Sequence, residues 1–134
     1  MSIQPGLSAE ITLTVQESDT ARYAAGESYP PVLSTPRVIG YLERAAHQAI
    51  QPHLAAGQGS VGTAVNIRHL AATPVGMTVR FFALLQEVDG RRLRFSVEAW
   101  DEVEKIASGE HERFVITQNR FNERLADKER RMRT

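Results

Sequence analysis

Two side-chain types that move protons, a carboxylate and an imidazole, fall in this chain where the hydrophobic pattern predicts burial. Glu43 lies in a run whose apolar residues Val38, Ile39, Leu42, Ala45, Ala46, Ala49 and Ile50 make one stripe at the helical period. It sits on the stripe's margin, about 20° around the helix from Ile50. Arg37, Gly40, Arg44, His47, Gln48 and Gln51 hold the opposite side. His69 closes a run in which Val61, Thr63, Val65 and Ile67 alternate with Gly62, Ala64, Asn66 and Arg68, so it shares a strand face with Val65 and Ile67. A half-desolvated carboxylate can attack a carbonyl or deprotonate water, and an imidazole can orient that water or donate to an oxyanion. Each residue alone has a plain structural reading, Glu43 as a helix-margin residue and His69 as a satisfied core histidine. Together they predict one pocket where the helix margin meets the strand.

The elements that position them follow from periodicity and turn chemistry. Residues 8–16 alternate as a first strand, and a long loop through Tyr23, Gly26, Tyr29, Pro30 and Pro31 reads as a lid. Ser34 or Thr35 before Pro36 starts the one long amphipathic helix, which Pro52 stops, and Thr35 read alone is a helix cap. After the Gly57-Gln58-Gly59 turn come a second strand from Val61 to about Ala71, a Thr73-Pro74 turn, and a third strand from Met77 to Val88. Asp89-Gly90 then leads into a fourth strand from Leu93 to Trp100, and a fifth runs from about Val103 to Ile116. Residues 119–134 form a charged terminal helix or tail on a single domain spanning 1–134. The order predicts an α+β fold, a mostly antiparallel five-stranded sheet wrapped around one helix, with exposed sheet edges that a homodimer would cover.

Composition narrows the function. A net charge of +0, from 16 basic and 16 acidic residues, argues against nucleic acid as a partner. No cysteine means no disulfide, thiolate metal site or cysteine nucleophile. His47, His53 and His111 show no metal-ligand spacing, so no metal is expected. No basic leader or long apolar run is present, which predicts a cytoplasmic protein without membrane attachment. The glycines from Gly57 to Gly62 precede a strand and read as a turn, not a phosphate loop. Arg91, Arg92 and Arg113 are simplest as solvated charges, any of which can meet a phosphate.

Gly59-Ser60-Val61-Gly62-Thr63-Ala64-Val65, His69-Leu70-Ala71-Ala72-Thr73-Pro74-Val75-Gly76, Gly90-Arg91-Arg92-Leu93 and Gly109-Glu110-His111-Glu112-Arg113 resemble the hot-dog-fold thioesterases, and among them the fluoroacetyl-coenzyme A type. The resemblance runs from about residue 33 to 122. It implies hydrolysis of a small or medium acyl-CoA, with coenzyme A as part of the substrate and no separate cofactor. It further implies a catalytic set of Thr35, Glu43 and His69, in which Glu43 attacks or deprotonates water, His69 orients water or donates to the oxyanion, and Thr35 holds Glu43 in its rotamer. Gly62 is implied to donate its N–H to the thioester carbonyl, and Thr63, Arg91 and Arg113 to contact substrate. The phenylalanine-rich lid of the fluoroacetyl type is replaced here by Tyr23, Tyr29, Pro30, Pro31 and Val32, so its acyl selectivity is not implied. A non-catalytic acyl-CoA-binding dimer and an enoyl-CoA hydratase stand as alternatives on the same fold.

Overall fold

The computed structural model describes residues 2–133. Strand β1, Ser8–Thr14, is followed by a short 3-10 turn at Glu17–Asp19 and helix α1, Ala21–Ala25. The long helix α2, Thr35–Ile50, leads to β2, Gln58–His69. Strands β3, Thr78–Asp89, β4, Arg92–Trp100, and β5, Lys105–Thr117, then precede α3, Gln118–Met132. The five strands form one antiparallel sheet in the order β1-β3-β4-β5-β2. Its curled face packs on α2, which lies mainly against β3 and β1. The antiparallel five-stranded sheet wrapped around one long helix, expected from the sequence, is the architecture observed.

Alternation decides which face is dry. In β4, Leu93, Phe95, Val97 and Ala99 are buried while Arg92, Arg94, Ser96, Glu98 and Trp100 are not. Val38, Leu42, Ala45, Ala46, Ala49 and Ile50 supply the helix side of the core. The alanines let the helix sit close to the sheet, and Phe81 and Phe95 fill the space between them. Gly90, with φ +62°, takes the first central position of the two-residue β3–β4 turn, where a side chain would be strained.

Three features of the fold depart from the sequence reading. The presumed lid loop contains α1, nucleated where the Thr20 hydroxyl accepts from the Tyr23 amide. β1 ends at Thr14, because Val15 turns into the core and bonds through its N–H to the Met77 carbonyl. β2 and β3 are not neighbours in the sheet, as the run of turns suggested. β2 pairs with β5, and the segment after His69 crosses to the far side. This crossing is pinned where buried Thr73 donates its hydroxyl to Asp101 at 2.9 Å and where Leu33 N–H reaches the Thr73 carbonyl.

Phe95 is fully enclosed and stacks near His111, with ring centroids 6.2 Å apart. Phe95→Ala should therefore cost about 3–5 kcal/mol of folding stability. Urea unfolding checks this, and a loss under about 1 kcal/mol would mean the core closes over the gap.

Candidate active site

Ser34 caps α2: its hydroxyl accepts from the Arg37 amide at 3.3 Å. That leaves the Thr35 hydroxyl, in the first turn, free of a capping role, and it lies 2.7 Å from His69 Nδ1. The His69 ring closes β2 half-buried, with Nε2 enclosed and, among the described residues, no partner at hydrogen-bonding distance. Burial pushes its imidazole below the ordinary histidine value, and the Ala71 backbone opposes this only in part. In the tautomer that carries its hydrogen on Nε2, the neutral imidazole can take the threonine's proton at Nδ1, which makes it a base beside a latent oxygen nucleophile. The pair opens on a cavity of about 670 Å³ walled by Ala21, Ala24 and Ala25 of α1, with Tyr29, Leu70 and Ala71 nearby.

Glu43 stands two turns further along α2, about 12 Å from Thr35 at the helical rise. It is half-buried, as its place on the stripe's margin predicts. Its carboxylate presses on the β2 backbone at Gly62, where a Cβ would fall 2.5 Å from Oε2. The same point lies 3.2 Å from His111 Cε1 and 3.4 Å from Arg113 Nη1. Glu43, Gly62 and Arg113 thus share a second cavity, of about 720 Å³, with His47 and Ser60.

The structure therefore makes two half-sites from the residues singled out by sequence. Thr35 and His69 form one, and Glu43, Gly62 and Arg113 the other. The seven residue steps from Gly62 to His69 span about 23 Å of extended strand, so a single chain does not join the halves in one pocket. Thr35 bonds His69 and does not hold Glu43, because two helical turns separate them. Arg113, expected to be solvated, is only 8% exposed, since the β5 alternation turns it inward. Thr63 is exposed and donates to the Glu112 carboxylate at 2.6 Å. Arg91 is exposed in the β3–β4 turn and lines neither cavity.

His111 was missed as a site residue. It is 2% exposed, with Nδ1 2.8 Å from the Ala64 carbonyl and Nε2 3.2 Å from Arg113 Nη1. Its parity in β5, in phase with buried Ala107 and Val115, is the sequence signal that points it inward.

Burial holds His47, His69 and His111 all below their ordinary values, with Arg113 adding repulsion at His47 and His111. These rings bind protons more readily in the unfolded chain, so they favour folding fully above about pH 6.5 and progressively less as acid protonates them. The melting temperature should be level near pH 7.5–8 and fall steadily between about pH 6.5 and 5. Calorimetry across that range is the check, and an unchanged melting temperature would contradict the buried neutral assignment.

A family model described as fluoroacetyl-CoA-specific thioesterase matches residues 15–119. The fluoroacetyl-CoA thioesterase of Streptantibioticus cattleyicolor is 45% identical over 100 residues, which is 75% of this chain and 72% of that protein. A solved structure of the fluoroacetyl-CoA thioesterase FlK superposes with a TM-score of 0.88 at 38% identity, covering 96% of this chain and 98% of the other. A hypothetical protein of Thermus thermophilus, described as a thioesterase superfamily member, superposes with a TM-score of 0.90 at 28% identity over 98% and 96% of the two chains.

Proposed function

The chain belongs to the family of fluoroacetyl-CoA-specific thioesterases and is an acyl-CoA thioesterase, and on that premise we propose that it cleaves a small or medium acyl-CoA at a site completed by two copies of itself. The observation that carries the reading is the 2.7 Å contact between Thr35 Oγ1 and His69 Nδ1. As the Thr35 oxygen attacks the thioester carbon, His69 takes its proton. The tetrahedral intermediate collapses, and the coenzyme A sulfur leaves with that proton. Water then attacks the Thr35 ester with His69 again as base; the bond from the acyl carbon to Thr35 Oγ1 breaks, His69 returns its proton to that oxygen, and the acid leaves.

The second half-site supports a dimer. β2 is a sheet edge with no outer partner among the described residues, exposed from Gly62 to Asn66, with Val65 39% exposed. A long edge without proline or lysine is a template for a second strand. Antiparallel pairing of two β2 strands about a two-fold axis near Val65 and Asn66 sets Gly62 of one protomer opposite His69 of its partner. Glu43 then faces the imidazolium formed at each proton transfer, the Gly62 N–H faces the carbonyl oxygen, and Arg113 faces the acyl end.

A second assignment has Glu43 take the proton from water directly. It is favoured by a half-buried carboxylate that makes no ion pair within 4 Å among the described residues. The two are separable: Thr35→Val abolishes turnover and prevents any acyl-threonine adduct in the first, and only slows turnover in the second.

Thiol release from a panel of acyl-CoAs tests the function. Glu43→Ala and His69→Ala should each lose about 10²–10⁴-fold in kcat. Mixed and allowed to exchange subunits, the two inactive proteins should regain about a quarter of wild-type activity, since half the dimers carry one intact site. No recovery would count against the shared site, and unaltered release by both variants against the residues. Recovery of intact thioester from a stable complex would mark a binding protein instead.

A further inference from the structure

The Arg113 guanidinium is held by bonds whose direction its chemistry fixes. Arginine only donates. Nε donates to Ser60 Oγ at 2.8 Å, Nη2 to the Ser60 carbonyl at 3.0 Å, and Nη1 to His111 Nε2 at 3.2 Å. His111 Nε2 therefore carries no proton, and its Nδ1–H donates to the Ala64 carbonyl at 2.8 Å. Besides Arg113, the one side chain that Ser60 Oγ meets among the described residues is His47, whose Nδ1 lies 2.7 Å away and receives the Ser60 hydrogen when His47 carries its own on Nε2. The Arg113 and His111 bonds thus have a single polarity, and the Ser60–His47 bond continues it into α2 in the Nε2-protonated form of His47.

We infer that Ser60 and His47 are positioning residues that orient Arg113 toward the Glu43–Gly62 corner. The inference rests on the thioesterase reading, which puts that corner in the site. Two of the three N–H directions of Arg113 that are bonded in the fold end on Ser60, and among the described residues Ser60 has no other side-chain partner than Arg113 and His47. Removing the Ser60 hydroxyl leaves Nε without its acceptor in a buried setting and frees the guanidinium to rotate about its last bonds. Removing the acceptor on His47 has the same effect one step back, because the Ser60 hydrogen then competes for other acceptors. The environment keeps the His47 ring in the neutral form this role needs: burial and the Arg113 charge both disfavour its protonation. Arg113 takes no part in proton transfer, so the loss should appear in binding of the acyl end.

Ser60→Ala and His47→Leu should each reduce kcat/KM by about 10–100-fold, mainly through KM, while the far-ultraviolet circular dichroism stays that of the folded protein. His47→Asn, whose side-chain oxygen can accept where Nδ1 did, should recover most of what His47→Leu loses. In the Arg113→Ala background, Ser60→Ala should add almost nothing, because the residue it positions is gone. Effects that multiply in the double variant, or a His47→Leu protein with wild-type KM, would overturn the inference. Imidazole nitrogen NMR of the wild type gives a readout independent of turnover: His47 should be protonated on Nε2 and His111 on Nδ1 near pH 7.5, and Ser60→Ala should lose the fixed His47 form. A mixed His47 tautomer in the wild type would sink the relay itself. If the relay is present but no acyl-CoA is hydrolysed, the thioesterase reading fails on its own.

Discussion

A side chain at position 62 and the Glu43 carboxylate cannot occupy the same space, and much of the site follows from that exclusion. With glycine at 62, α2 can lay a carboxylate directly against a strand backbone, within reach of His111 and Arg113 on the next strand. The same strand carries Ser60, which orients the arginine, and ends at His69, which meets the start of α2. One edge strand thus touches both ends of one helix. Polar groups collect along that seam because β2 is covered on one side only, whereas the β3–β4 part of the sheet is sealed by α2 and carries almost pure hydrocarbon.

Much of the fold was legible because burial there is periodic. The alternation in β4 is unbroken, and the stripe on α2 places six of its seven apolar residues in the core, with Ile39 at its edge. What periodicity does not carry is partner choice. The turn at Thr73-Pro74 looks like a hairpin, yet β2 pairs with β5, a preference set by side chains far apart in the chain. Nor does it report the short α1, whose five residues are too few to show a helical period.

The candidate site was legible in its members and not in their grouping. Glu43 and His69 were flagged by their places on apolar faces, and both are half-buried. Helix rise and strand length then decide that they stand at separate cavities within one chain, a distance that spacing in sequence does not reveal. Arg113 and His111 are not singled out as buried by residue type, and strand parity is what places them inside. Their positions are in phase with Ala107 and Val115, and a buried cation is tolerated where hydrogen-bond acceptors meet it, here both polar atoms of Ser60 and a neutral imidazole.

Because Ser34 spends its hydroxyl on the Arg37 amide, the oxygen of Thr35 enters the first helical turn with no backbone obligation. It stands where sixteen aligned peptide units present their positive end. Negative charge gathering on that oxygen is met by a field already in place, with no solvent or side chain needing to move. An ordinary capping serine has in this way turned its neighbour into the one hydroxyl of the helix whose anion the backbone itself favours.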